Sequence, residues 1–174
     1  MIRLTAPVAA LCLATLPALA QEPSGTITAT VGTEERSWQV VAPEDTGGSR
    51  WSQDDVGISV TLVGREGPET LDAAPNLTLT FTASGQETQP DASNLAVTLL
   101  QMPASNTLSG TPENTDITLT AFSIEDDTLA VSGNFTAILA PGAPEGLVTA
   151  NTEGAQTITG DFQATLQRAD PADE

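Results

Sequence analysis

From residue 25 onward the chain alternates apolar and polar side chains with a period of two. Ile27, Ala29 and Val31 interleave with Thr26, Thr28 and Thr30. Ile58, Val60 and Leu62 alternate with Ser59 and Thr61, and Leu77, Leu79 and Phe81 with Thr78, Thr80 and Thr82. Leu95, Val97 and Leu99 follow, then Ile117, Leu119 and Ala121. Successive side chains on a strand point to opposite faces, so this pattern predicts half-buried antiparallel strands with one dry and one wet face. Threonine suits the wet face because it is β-branched. Trp38 and Val40 mark a further strand over 36–42. No window of a dozen residues after the first twenty sustains apolar spacing of three and four, so no helix is predicted there.

Glycine and proline punctuate the pattern at 43–55, 64–75, 84–93, 102–115 and 140–155, which read as loops. Phe122 to Leu129 reads as a tight hairpin with the acidic turn Glu125-Asp126-Asp127. Gly133-Asn134-Phe135-Thr136-Ala137-Ile138-Leu139 is echoed by Gly160-Asp161-Phe162-Gln163-Ala164-Thr165-Leu166. These read as two long strands sharing the core, each with its glycine at a bulge or bend. Phe81, Phe135, Phe162, Leu79, Val60 and Leu119 are the expected core. The sum predicts an all-β fold: a single antiparallel β-sandwich of about eight or nine strands, with a barrel as the alternative.

The first twenty residues follow different rules. Met1-Ile2-Arg3 precedes an apolar run from Leu4 to Ala20 that ends Ala18-Leu19-Ala20. One positive charge, an apolar stretch and small residues at an A-x-A site are the three parts of a signal peptide, which places the mature N-terminus at Gln21. Pro7 and Pro17 interrupt the run, which at seventeen residues is short for a membrane anchor. The expected organisation is a signal peptide over 1–20, a β-sandwich domain over 21–168 and a disordered acidic tail over 169–174. The expected location is periplasmic or secreted.

Charge narrows the partners. After residue 20 the chain has four arginines (Arg36, Arg50, Arg65, Arg168), no lysine and all 23 acidic residues, a formal charge of −19. Nucleic acid is excluded as a partner, as are anionic membrane surfaces, because like charges would meet. No membrane insertion is expected once the signal is removed. A cationic partner, an envelope protein or a divalent metal is allowed. Cys12 is the only cysteine and leaves with the signal, so neither a disulfide nor thiol chemistry is expected. The chain contains no histidine and no tyrosine. Histidine general bases, lysine Schiff bases, Ser-His triads and histidine metal sites are therefore impossible within it.

A first strand of Gly-x-x-x-Ala-x-Val type (Gly25, Ala29, Val31), a tryptophan soon after (Trp38), and two closing strands of Gly-x-Phe type (Gly133, Phe135; Gly160, Phe162) together resemble small exported bacterial β-sandwich domains of unknown function. The resemblance covers most of the mature chain. It implies a fold and no activity.

Several groups could carry chemistry. Asp45-Thr46-Gly47 is the tripeptide with which aspartic proteases hold a carboxylate beside a second one, and Leu62-Val63-Gly64-Arg65 is similar to the element that supports that loop in retroviral-type proteases. The motif should follow an apolar strand, but Pro43-Glu44 precede it, so a solvated turn is the favoured reading. Glu125, Asp126 and Asp127 are a calcium candidate, with Asp54-Asp55 and Glu44-Asp45 in a second acidic loop. No Asp-x-Asp-x-Asp spacing accompanies them. Trp51, in Arg50-Trp51-Ser52, is the one tryptophan placed in a loop for carbohydrate contact, against a role capping one end of the fold. Thr-x-Thr pairs at 26/28/30, 78/80/82, 118/120 and 157/159 lack the short regular repeat of ice- and crystal-binding ladders, and read as wet strand faces. The reading that follows is an exported non-catalytic binding or structural domain, with no catalytic residue and no cofactor assigned. A calcium-dependent or weakly carbohydrate-binding module is the alternative, and a carboxylate-only hydrolase the second alternative.

Overall fold

The computed structural model describes residues 24–42, 48–66, 76–86, 89–101, 106–141 and 154–169. The expected signal peptide (1–20), the Asp45-Thr46-Gly47 turn and residues 170–174 lie outside them. The strands are β1 (Gly25–Val31), β2 (Glu34–Val40), β3 (Arg50–Gln53), β4 (Ile58–Arg65), β5 (Asn76–Gln86), β6 (Gln89–Gln101), β7 (Asn106–Gly110), β8 (Thr115–Glu125), β9 (Thr128–Pro141) and β10 (Gln156–Gln167). A single 3-10 turn, Pro112–Asn114, separates β7 from β8.

The all-β, antiparallel class expected from the alternation is the one observed. All ten strands join one sheet, and its pairings run β1-β2-β4-β5-β6-β7-β9-β10 and return from β10 to β1. The two remaining strands extend others along a shared edge. β2 pairs with β4 only at Gln39–Arg65 and Val40–Gly64, and β3 takes over that edge from Arg50–Thr61 to Gln53–Ile58. Likewise β7 and β8 lie end to end along β9, at Leu108–Pro141 and at Thr115–Ala137. Opposite walls meet face to face: Phe81 of β5 and Phe162 of β10 have ring centroids 6.0 Å apart. Phe135 of β9 lies 6.5 Å from Phe162.

Ser49 bridges the gap between β2 and β3. It is fully buried, its hydroxyl donates to the Val63 carbonyl (3.2 Å) and accepts from the Val63 N–H (2.8 Å), and its own N–H donates to Val41 (3.0 Å). A side chain here replaces the ladder bonds that the strand break removes.

The interior holds the expected residues. Phe81, Phe135, Phe162, Leu79 and Val60 are each at most 2% exposed. Leu119 is only partly buried. The alternation of β8 holds through Leu119; the ladder on β9 then shifts between Leu119 and Ala121, so that Ala121 is exposed and Phe122 takes the next buried position.

Three expected loops contain strands. Residues 43–55 include β3. The stretch 84–93 is the end of a β5–β6 hairpin, with Gly85 at φ +104° and Pro90 opposite it, where β6 has a ladder on one edge only and a missing N–H costs least. Residues 102–115 include β7 and the 3-10 turn. Nor are Gly133 and Gly160 bulge residues. Gly133 pairs with Phe162 and Gly160 with Phe135 in an unbroken β9–β10 ladder, so each phenylalanine stands opposite the other strand's glycine. A Cβ on Gly133 would stand 2.8 Å from Phe162 Cζ, and one on Gly160 would stand 2.4 Å from Ala29 Cβ. Glycine is required at both by close approach.

Candidate functional site

Two regions collect polar side chains. The first is one end of the closed sheet, where the β8–β9 turn, the end of β10 and β3 converge. Trp51 lies on β3 rather than in a loop, because Arg50–Gln53 ladders with Ile58–Thr61. It is 1% exposed. Its indole Nε1–H donates to the Asp127 carbonyl (3.3 Å), and the Arg168 guanidinium stands 5.3 Å from the ring centroid. Arg168 also donates its N–H to the Asp127 carbonyl (2.9 Å), and its side chain reaches the Asp127 carboxylate at 4.0 Å. Ala169, expected to begin the tail, donates its N–H to the Trp51 carbonyl (2.8 Å). A sugar platform needs an open aromatic face; here the indole is enclosed and caps this end of the core.

The acidic candidates sit around the same end. Glu125 closes β8, and Asp126 and Asp127 form the two-residue turn, with Asp126 at φ +53°. The expected tight hairpin is thus present. Among the described residues no three acidic side chains converge in a group able to hold a metal ion, and this includes Glu125, Asp126 and Asp127. Asp127 faces Arg168. Asp54 uses a carboxylate oxygen to accept the N–H groups of Val56 (2.8 Å) and Gly57 (2.9 Å), which fixes the β3–β4 turn. Leu62-Val63-Gly64-Arg65 forms the end of β4, and its tripeptide partner at 45–47 lies outside the described residues.

The second region is the outer wall formed by β2, β1, β10, β9 and β8. Ladder registers line its outward side chains into cross-strand rows. One runs Glu35, Thr30, Thr159, Thr136, Asp116, and the next Ser37, Thr28, Asp161, Asn134, Thr118. All ten are exposed. Within the wall, hydroxyls of Thr136 and Thr159 hydrogen-bond at 3.3 Å, and those of Thr120 and Ser132 at 3.1 Å. By contrast, outward residues of the opposite wall, such as Val63, Thr78 and Thr98, are half-buried. The sequence disclosed each strand's wet face but not these rows, which depend on register.

At the other end of the sheet Arg36 bridges Glu34 (3.2 Å) and Glu66 (3.8 Å). The Glu113 carboxyl in the 3-10 turn is held below its ordinary value of 4.5 by the Thr111 hydroxyl and then by its own backbone N–H, which favour the charged form.

No family model matches the chain, and no curated protein or solved structure matches it significantly.

Proposed function

We propose that this chain is an exported, non-catalytic domain that acts by binding or by structural contact, through its outer wall of β2, β1, β10, β9 and β8. The observation that carries the reading is the division of roles between its faces. The inward side chains, Trp38, Trp51, Phe81, Phe135 and Phe162 with their aliphatic neighbours, form one buried cluster. The ten outward side chains of the wall's two rows are an open array of six hydroxyls, the Asn134 amide and three carboxylates (Glu35, Asp116, Asp161) held in place by the ladders. Such an array offers many hydrogen bonds to a polar partner at little cost in ordering, because short β-branched side chains have few rotamers to lose. The Met1–Ala20 segment supports export, and the charge of −19 favours a neutral or cationic partner.

The test is affinity capture from the envelope fraction with three proteins: the unaltered domain, a Thr28→Lys/Thr159→Lys variant, and an Asp91→Asn variant on β6, outside the wall. A partner retained by the first and third and lost by the second is the expected result. Capture that is indifferent to the wall substitutions, or that depends on Asp91, counts against the reading.

A further inference from the structure

The strand Arg50–Gln53 is fastened very differently along its two edges. One edge forms a regular antiparallel ladder with β4, closed by the Asp54 turn. The other has a single parallel bridge, Trp51 to Arg168. Around that bridge every tie comes from the end of β10 or from the β8–β9 turn. Ala169 N–H bonds the Trp51 carbonyl, the Trp51 indole bonds the Asp127 carbonyl, and Arg168 covers the ring. Arg168 and Asp127 are themselves solvent-facing, with side chains 47% and 77% exposed. Just before this latch, β10 is laddered on both edges, with β1 from Ile158 to Ala164 and with β9 from Gln156 to Gln167.

We propose that β3 is a strap over one end of the core, latched by Arg168 and Ala169, which opens as a unit of its own while the sheet stays closed. Burial of the indole makes the closed state the resting one. The asymmetry of the fastenings makes this the segment that opens below global unfolding, since contiguous pieces with few ties to the remainder are released first. Opening carries Trp51 away from the end of the core where its ladder partner Val60 lies. The device couples the chain just after β10 to access at that end: a partner or a protease acting at Arg168–Ala169 would release an indole more than a hundred residues away in sequence.

The test is amide hydrogen exchange on the full chain, comparing the unaltered protein with Arg168→Ala and Ala169→Pro. The second substitution removes the N–H that bonds the Trp51 carbonyl. Loss of one such bond should speed exchange at 50–53 roughly tenfold while leaving 158–166 unchanged. Arg168→Ala should act on the same segment by a smaller factor. Unchanged exchange at 50–53 overturns the proposal, and so does acceleration that spreads equally to 158–166, because the strap would then have no independence. A Trp38→Phe chain leaves Trp51 as its single indole. In that background Ala169→Pro should increase acrylamide quenching, and quenching equal to that of the Trp38→Phe parent overturns the latch independently of the exchange data.

Discussion

The ring of Phe162 covers Gly133, its ladder partner on β9, so closely that a Cβ at Gly133 would stand 2.8 Å from Phe162 Cζ and 2.5 Å from the Thr118 carbonyl oxygen. One of those obstacles is backbone of the neighbouring strand β8, which cannot swing aside as a side chain can. Gly133→Ala should therefore destabilise the fold by about 1–3 kcal/mol, the range for overpacking a tight interior. Gly160→Ala should behave alike, since its Cβ would meet the Thr28 carbonyl oxygen at 2.3 Å. Urea unfolding midpoints measure both. Midpoints equal to that of the unaltered chain would show that β8 and β1 yield more easily than their ladders imply.

Phe135→Ala removes a ring that is 2% exposed and tilted at 45° against Phe162, with centroids 6.5 Å apart. The expected cost is about 3–5 kcal/mol, combining lost burial with the cavity left behind. Against a typical domain stability of about 5–15 kcal/mol this is a large fraction. A urea-derived cost under about 1 kcal/mol would place the ring outside the cooperative core.

Some of this arrangement was legible in the sequence. Strict alternation gave the wet and dry faces, and the acidic turn after Phe122 gave the β8–β9 hairpin. The echo of Gly-x-Phe identified two long core strands. What alternation cannot encode is which edge a strand joins. That β2 and β3 share an edge of β4, and β7 and β8 an edge of β9, depends on pairings between residues far apart in the chain. The sequence around Trp51 reads as a loop for a related reason, although the residue lies on β3. A four-residue strand between Gly47-Gly48 and Asp54-Asp55 is too short to show a period. Glycine in a strand pattern suggested bulges at 133 and 160, but the irregularities fall instead between Thr80 and Thr82 and between Leu119 and Ala121. Aromatic cover of a glycine is a cross-strand property and leaves no local signature.

Calcium chloride and sodium chloride at equal ionic strength should raise the melting temperature nearly alike, gradually and without saturation. Both would act by screening repulsion within a domain of charge −19. The acidic turn directs Asp127 toward Arg168 instead of toward Glu125 and Asp126, which leaves no convergent oxygen set there. A calcium-specific shift that saturates below about 1 mM would instead support the calcium-dependent module.

Glu113 gives a small pH signature of known sign. Its folded-state value is lowered, so its contribution is present above pH 4.5 and is lost as pH falls through the folded value. Comparing Glu113→Gln with the unaltered chain across pH 3 to 6, the difference in melting temperature should shrink toward acid. A difference that grows toward acid would contradict the hydrogen bonds assigned to Thr111 and the Glu113 N–H.

Mass spectrometry of the exported protein should give Gln21 as the first residue, from the Ala18-Leu19-Ala20 site. A mass that retains residues 1–20 would refute the cleavage.

The pairing of Gly25 with Ala164 and of Val31 with Ile158 sets a schedule as well as a shape. A chain that emerges N-terminus first delivers β1 first among the described strands and its partner β10 last. Until β10 emerges, the unpaired edges of β1 and β9 stand open to any other extended chain nearby, a template for wrong pairing. β10 is thus a keystone, and the arch is vulnerable until it arrives. Closing so distant a contact is slow, with refolding expected in milliseconds to seconds, as for other sheets dominated by non-local pairing.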